Sequence, residues 1–205
     1  MKKIMFNDRY GLTQAVIEGR KTMTRRIVGD KLWDRWTDYD DFCNSVSCGP
    51  STPVVRQYYN EFEFFKDNIP YRIGEIVAVA QCYADIHSEL MIGDFGDARY
   101  DSFKNAVVHD KAGWHNKMFV QADLMPHQIR ITSVRPERLQ DITDEDCLKE
   151  GVRFVENSDG YFSNGMSDGY TTPISAFAAL IDKISGRGTW ERNPFVWRIE
   201  FKLVK

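Results

Sequence analysis

The chain has 205 residues, of which 42% are hydrophobic and 13% aromatic, so a sizeable core is expected and wholesale disorder is excluded. The formal net charge is -3, which argues against a non-specific polyanion binder. The charge is uneven: residues 1–30 hold seven cations against three anions, and residues 183–205 hold six against two. If the two ends meet in the fold, they form a basic surface on an acidic body. Ordinary solvated faces would give the same pattern.

No signal peptide or membrane-spanning segment is predicted, because the basic start is followed by a short strand-like run and no apolar stretch approaches span length. The four cysteines include no Cys-x-x-Cys pair, so neither a zinc ribbon nor a redox motif is predicted. We therefore expect a cytoplasmic protein with free thiols, no cofactor, no bound metal and no membrane partner.

The N-terminal part begins with a short strand, predicted at residues 3–7, and an amphipathic helix, predicted over residues 9–19. The next seven residues, 20–26, hold four cations and two hydroxyl side chains. This composition predicts an anion-binding turn. The same segment places Lys21 three positions before Thr24, a candidate nucleophile.

Three segments are predicted to be insertions: residues 29–69, 84–117 and 154–172. The first two are expected to be irregular, because glycines, prolines and polar residues interrupt their aromatic positions. Between them, residues 76–80 are mostly β-branched and apolar, which indicates a buried strand. A short strand is also predicted at residues 118–122.

The C-terminal half predicts two more strands and two helices. Alternation indicates strands at residues 127–134 and 195–201. Thr143 can cap a helix that ends near the glycine after Glu150, and Pro173 begins an amphipathic helix.

Five or six strands and three helices, without strict strand–helix alternation, predict an α+β fold. A small mixed or antiparallel β-barrel fits this element order better than a doubly wound parallel sheet.

Five blocks of the sequence carry a further pattern: the Gly-Arg-Lys-Thr-Met-Thr-Arg-Arg segment at residues 19–26, the strand entry at 71–79, and residues 129–143, 150–151 and 188–197. Together these blocks resemble the ASCH domain family, in its long phage-associated branch. The blocks span nearly the whole chain. One position departs from the pattern: where phage-type members usually carry Arg-Glu-Thr-Trp after a strand, this chain has an amide, Gln81.

This resemblance implies a PUA-like small mixed β-barrel with flanking helices and long insertions, formed by residues 1–205 as a single domain. It also implies a basic cleft that recognises RNA or a modified nucleoside or nucleotide. The cleft is expected between the basic segment, Glu75 and Glu150. The candidate ligand-binding residues are Arg20, Arg25, Arg26, Glu75 and Trp190. Trp190 is expected to be partly exposed, where it could stack on a base, and Trp197 to lie in the core.

One small branch of the family hydrolyses the acetyl amide of N4-acetylcytidine, and resemblance to it implies a catalytic set of Lys21, Thr24 and Glu150. Thr24 would attack after a base removes its proton, and Lys21 could be that base if burial or neighbouring cations lower its pKa. Glu150 would protonate or steady the leaving amine. Arg25 or Arg26 could repel the lysine charge or hold an oxyanion.

Three functions therefore remain open at the level of sequence: binding RNA or a modified nucleoside, hydrolysing an acylated nucleoside, and acting as a phage or mobile-element accessory protein whose insertions meet a protein partner. Plain structural roles compete with the catalytic ones. Lys21 and Arg25 could be solvated cations, Thr24 a strand hydroxyl, and Glu150 a helix-end acid paired to a lysine.

Overall fold

The computed structural model describes residues 1–47, 56–92, 98–109, 111–163 and 165–204. Within these ranges the protein is a mixed α+β structure. Its strands are β1 (Lys2–Ile4), β2 (Met23–Ile27), β3 (Ile76–Val79), β4 (Gln128–Arg138), β5 (Arg153–Val155), β6 (Gly160–Phe162) and β7 (Phe195–Leu203). Its α-helices are α1 (Leu12–Ile17), α2 (Asp30–Ser47), α3 (Glu61–Asp67), α4 (Tyr83–Ile92), α5 (Ala98–His109), α6 (Asp144–Lys149), α7 (Pro173–Ser185) and α8 (Thr189–Arg192).

Five strands form one mixed sheet in the order β1-β3-β4-β7-β2, and β5 pairs with β6 in a separate hairpin. β1 and β3 are parallel, and the other neighbours in the large sheet are antiparallel. This order leaves β1 and β2 as the two edges, so the strand pairing of the described residues is open. The edges are nevertheless joined by a side chain, because Arg26 of β2 donates a hydrogen bond to the backbone carbonyl of Met5, directly after β1.

The main core follows the alternation of β7. Phe195, Trp197, Ile199 and Phe201 pack into one cluster with residues of β1, β3, β4, α1 and α3. Trp197 is only 6% exposed, which confirms its predicted place in the core. The opposite face of β7 carries Arg198, which lies among charged groups.

Most elements predicted from alternation and helix caps are confirmed. β1, β3, β4 and β7 lie where strands were predicted, and α1 lies within the predicted helix. Thr143 caps α6 by accepting a hydrogen bond from the amide of Asp146 at 3.2 Å. Pro173 begins α7, as predicted, after a capping threonine.

The basic segment is different from its prediction. Only its first residues form a turn, because Met23–Ile27 is strand β2 and pairs with β7 along its whole length. The arginines made this stretch resemble an anion site, but it is an edge strand whose first three residues, Met23, Thr24 and Arg25, are all buried.

The prediction of irregular structure in the first two insertions is also wrong. α2 and α3 lie in the first, α4 and α5 in the second, so the described residues hold more than the three helices predicted. Trp33 and Trp36 stabilise α2 by packing on Phe65 and Phe64 of α3. Residues 48–55, 93–97, 110 and 164 of the three predicted insertions lie outside the described residues.

The strand predicted at residues 118–122 is absent: residues 118–120 form turns and bends, and Ala122 begins a short 3-10 helix. The side chain of Lys3 holds this segment in a conformation other than a strand, because three backbone carbonyls of the segment turn toward its amine. Lys3 Nζ donates to the carbonyls of Lys117, Met118 and Val120 at 3.0, 2.6 and 2.8 Å. Successive carbonyls of an extended strand point in opposite directions, whereas those of the adjacent residues Lys117 and Met118 both face this amine.

Among the residues that the structure describes, no helix combines the length and the apolar character needed to cross a bilayer. The 18-residue helix α2 is rich in aspartate.

Candidate functional site

A pocket of about 250 Å³ lies beside the edge strand β2. Its polar lining residues are Asn7, Lys21, Thr24, Arg25, Arg26, Glu150 and Ser185. Its apolar lining residues are Phe6, Leu12 and Ile27, together with Phe177, Leu180, Ile181 and Ile184 of α7. The structure therefore brings the three residues predicted to be catalytic, Lys21, Thr24 and Glu150, to the border of one cavity.

Backbone hydrogen bonds hold the turn between α1 and β2 against the end of α6. The amide of Lys21 donates to the carbonyl of Ala15 at 2.9 Å, which closes the end of α1. The amide of Thr22 donates to the carbonyl of Lys149, the last residue of α6, also at 2.9 Å. Because Glu150 follows directly, this contact places its side chain beside Lys21.

The polar lining residues form one wall of the pocket, the polar wall, and the Lys21–Glu150 pair lies within it. Lys21 Nζ lies 2.5 Å from Glu150 Oε2 and 2.9 Å from the carbonyl oxygen of Glu150. Both side chains are buried, with 2% and 4% of their surface exposed. An ammonium group has three donor positions, so these two bonds leave one for a third partner.

Burial lowers the pKa of the Lys21 amine below its usual value, and the negative charge of Glu150 opposes that shift without cancelling it. Arg26 and Arg25 add to the lowering by repulsion. A lowered pKa means that this lysine reaches its neutral, basic form at a lower pH than an exposed lysine does, so it is better suited to act as a base.

Thr24 lies on β2, opposite Ile199 of β7, and is 5% exposed. Within the part of the chain that the structure describes, its hydroxyl makes no hydrogen bond. The hydroxyl of a buried threonine that borders a pocket is thus left available to a ligand or to the Lys21 amine.

Arg25 is bound by three carboxylates and has no exposed side-chain surface. Its guanidinium donates to Glu137 Oε1 at 2.8 Å, to Asp146 Oδ2 at 2.6 Å and to Glu150 Oε1 at 3.4 Å. Arg25 therefore connects the Lys21–Glu150 pair to further charges on β4 and α6.

Asp146 joins Arg25 to Arg198. Arg198 donates to both carboxylate oxygens of Asp146, from Nε and Nη2, each at 3.1 Å. Burial alone would raise the pKa of Asp146, but the hydrogen bonds from Arg198 and Arg25 hold that pKa below its usual value. Ion pairs thereby connect the pocket cations Lys21 and Arg25, and Arg198 behind them, to Glu137, Asp146, Glu150 and Glu200.

Arg26 differs from Arg25 although the two are adjacent, because neighbouring residues on a strand point to opposite faces. Arg26 is half-buried, borders the pocket and lies 5.5 Å over the ring of Phe6. It donates to the carbonyl of Met5, and no carboxylate of a described residue binds it.

The other predicted ligand-binding residues lie outside this pocket. Arg20 is exposed and pairs with Glu18. Glu75 pairs with Lys2 at 3.0 Å and accepts from the amide of Arg72 at 2.9 Å, in a separate groove. Trp190 is half-buried, in keeping with its predicted partial exposure, but its ring packs edge-on against Phe177.

Sequence reasoning missed the buried acids and the apolar wall. From the sequence alone, Asp146 is an acid in the first turn of a helix, where it complements the helix dipole, and Glu137 has no predicted role. One signal was available in α7, because its apolar stripe continues to Ile184, which borders the pocket and is not part of the buried cluster that contains Phe177 and Ile181.

Fold and site together define an α+β protein with a small pocket, walled on one side by buried ion pairs and on the other by α7. Comparison of the chain with protein-family models, with curated proteins and with solved structures found no match.

Proposed function

We propose that the protein is an amidohydrolase that removes an acyl group from a modified nucleoside of the N4-acetylcytidine type. The observation that carries the proposal is that Lys21, Thr24 and Glu150 border one pocket, with Lys21 and Glu150 in contact. These are the residues that the resemblance to the small ASCH branch selects, and they come from three separate elements of the chain.

The reaction uses each group in turn. Thr24 Oγ1 forms a bond to the acyl carbonyl carbon while the Lys21 amine takes the hydroxyl proton. The C–N bond then breaks, and the amine leaves with a proton returned by the Lys21–Glu150 pair. Water hydrolyses the resulting threonine ester and releases the carboxylic acid. The threonine hydroxyl need not contact Lys21 beforehand, since catalytic hydrogen bonds tighten when substrate binds.

Arg26 is the better of the two predicted oxyanion donors. Arg25 is enclosed by Glu137, Asp146 and Glu150, so its donors already have partners. Arg26 borders the pocket without an acid partner among the described residues, and its charge can stabilise an oxyanion there.

Size and charge favour a nucleoside over an RNA strand. The pocket volume is below the range of about 300 to 1,000 Å³ that is usual for ligand sites, which suits a small molecule. Of the three cations that line the pocket, Lys21 and Arg25 are paired with carboxylates, so only the charge of Arg26 remains to attract a phosphate. Recognition of RNA and an accessory role with a protein partner stay predictions.

We also propose that the sheet is a PUA-like barrel, as the resemblance implies. The contact between Arg26 and Met5 supports this assignment, because it joins the two edge strands of a sheet whose pairing is otherwise open.

The direct test is release of cytidine from N4-acetylcytidine by the purified protein, followed by chromatography. Lys21→Ala and Thr24→Ala should abolish release. Thr22→Ala is the matched control, because it removes a hydroxyl from the same segment, and the side chain of Thr22 does not line the pocket. If the nucleoside binds but is not hydrolysed, the protein is a nucleoside-binding protein and not a hydrolase. If it is neither bound nor hydrolysed, both assignments are overturned.

A further inference from the structure

A second pocket, of about 430 Å³, lies between α1 and α4. Its lining residues do not overlap with those of the Lys21 pocket. Three of them are carboxylates, Asp8, Asp85 and Glu89, and none is a lysine or an arginine. The pocket therefore presents negative charge and hydrogen-bond acceptors on both sides.

The three acids are incompletely neutralised. Lys117 lies 2.7 Å from Asp8, and His127 Nε2 lies 2.8 Å from Glu89. Asp85 forms no ion pair with a described residue and accepts hydrogen bonds only from the amide and thiol of Cys82, at 3.3 and 3.1 Å.

Gln81 supplies an independent sign that a donor is missing. Its side chain is 2% exposed, borders the pocket and donates to Glu89 Oε1 at 2.5 Å. The amide oxygen of Gln81 is buried and has no hydrogen-bond partner within the described ranges. A buried carbonyl oxygen without a donor is unfavourable, and an N–H group of a ligand would satisfy it.

We propose that this pocket binds an extended organic cation that carries more than one ammonium group, such as a linear polyamine. A single metal ion does not fit, since the described residues contain no group of three acidic, histidine or cysteine side chains close enough to hold one. Because the acids of this pocket do not converge on one point, a ligand that pairs with them needs positive charges at separate positions along its length. It also needs N–H groups that can donate to acceptors such as Gln81 Oε1.

Titration calorimetry with spermidine tests the proposal, with magnesium chloride at matched ionic strength as the comparison. Asp85→Asn and Gln81→Met should each weaken spermidine binding by about tenfold, because each removes one acceptor or charge. Asp85 is exposed, so the first substitution leaves the fold intact even if the second, at a buried position, does not. Glu191→Gln, at an exposed acid on α8, is the matched control and should bind as the unchanged protein does.

The proposal is overturned if spermidine does not bind, if Asp85→Asn and Glu191→Gln bind it equally, or if magnesium at the same ionic strength displaces it fully. Binding that is lost in Asp85→Asn and kept in Glu191→Gln supports it. The measurement is independent of hydrolysis: Thr24→Ala, which removes the proposed nucleophile, should bind spermidine unchanged.

Discussion

Lys21 and Glu150 are 129 positions apart in the chain and meet in a buried ion pair, with 2.5 Å between Nζ and Oε2. The pair ties the turn after α1 to the end of α6 and forms part of the pocket wall. The site therefore exists only when these two elements are docked, and its charges are shielded from water.

Glu150→Gln should destabilise the protein strongly, because it leaves the Lys21 ammonium buried without a counter-charge. Loss of one partner from a buried pair costs about 3 to 5 kcal/mol of unfolding free energy. Urea denaturation at neutral pH measures the difference. Glu18→Gln, which breaks the exposed Arg20–Glu18 pair, should have no measurable effect. Equal effects of the two substitutions would show that the Lys21–Glu150 pair is solvated.

The rate of hydrolysis should rise with pH as Lys21 loses its proton. Burial lowers the pKa of this amine from 10.5, so activity should be present above the lowered pKa and lost as pH falls through it. Lys21→Arg should be inactive at every pH, since arginine does not deprotonate in proteins. The measurement is kcat/KM from neutral to alkaline pH. An increase centred at or above 10.5 would contradict the assignment of Lys21 as a buried base.

Thr24→Ala should lower kcat by about 10³-fold or more, because it removes the proposed nucleophile. Thr24→Ser keeps a hydroxyl and should retain part of the activity. Both variants should bind the nucleoside, since the rest of the pocket is unchanged, and calorimetry checks this. Full activity in Thr24→Ala would exclude a threonine ester intermediate.

Asp146→Asn should destabilise the protein by about 3 kcal/mol near neutral pH, because the acid holds both Arg25 and Arg198. The bonds from these arginines lower the pKa of Asp146 in the folded state. Its stabilising contribution is thus complete above the unfolded pKa of about 4 and is lost as pH falls through the lower, folded value. Urea denaturation should find the difference between wild type and variant shrinking at acid pH, and a difference that stays constant would contradict the pairing.

Ile184→Trp should raise KM by about tenfold with a smaller change in kcat. Ile184 borders the pocket from α7, and the larger indole side chain of tryptophan would narrow the pocket. Lys183→Trp is the matched control, since Lys183 is the adjacent residue and its side chain does not line the pocket. Steady-state kinetics with N4-acetylcytidine compare the two. Similar KM values in both variants would show that this end of α7 does not contact substrate.

Local patterns in the sequence correctly predicted most of the secondary structure near the site. The alternation of β4 and β7, the cap at Thr143 and the proline at the start of α7 each depend on neighbouring residues only. The segment that forms α2 was wrongly predicted to be irregular, because its tryptophans are buried by α3, a contact that the local sequence does not reveal.

The sequence by itself determined which residue types are present for the chemistry: a lysine and a threonine three positions apart, and an acid at the end of a capped helix. Only the tertiary structure decided which residues meet. It paired Lys21 with Glu150, placed Glu75 elsewhere, and gave the adjacent Arg25 and Arg26 different surroundings on opposite faces of β2. The physical reason is that a residue's propensity acts over a few neighbours, whereas burial and ion pairing depend on the packing of segments more than a hundred positions apart.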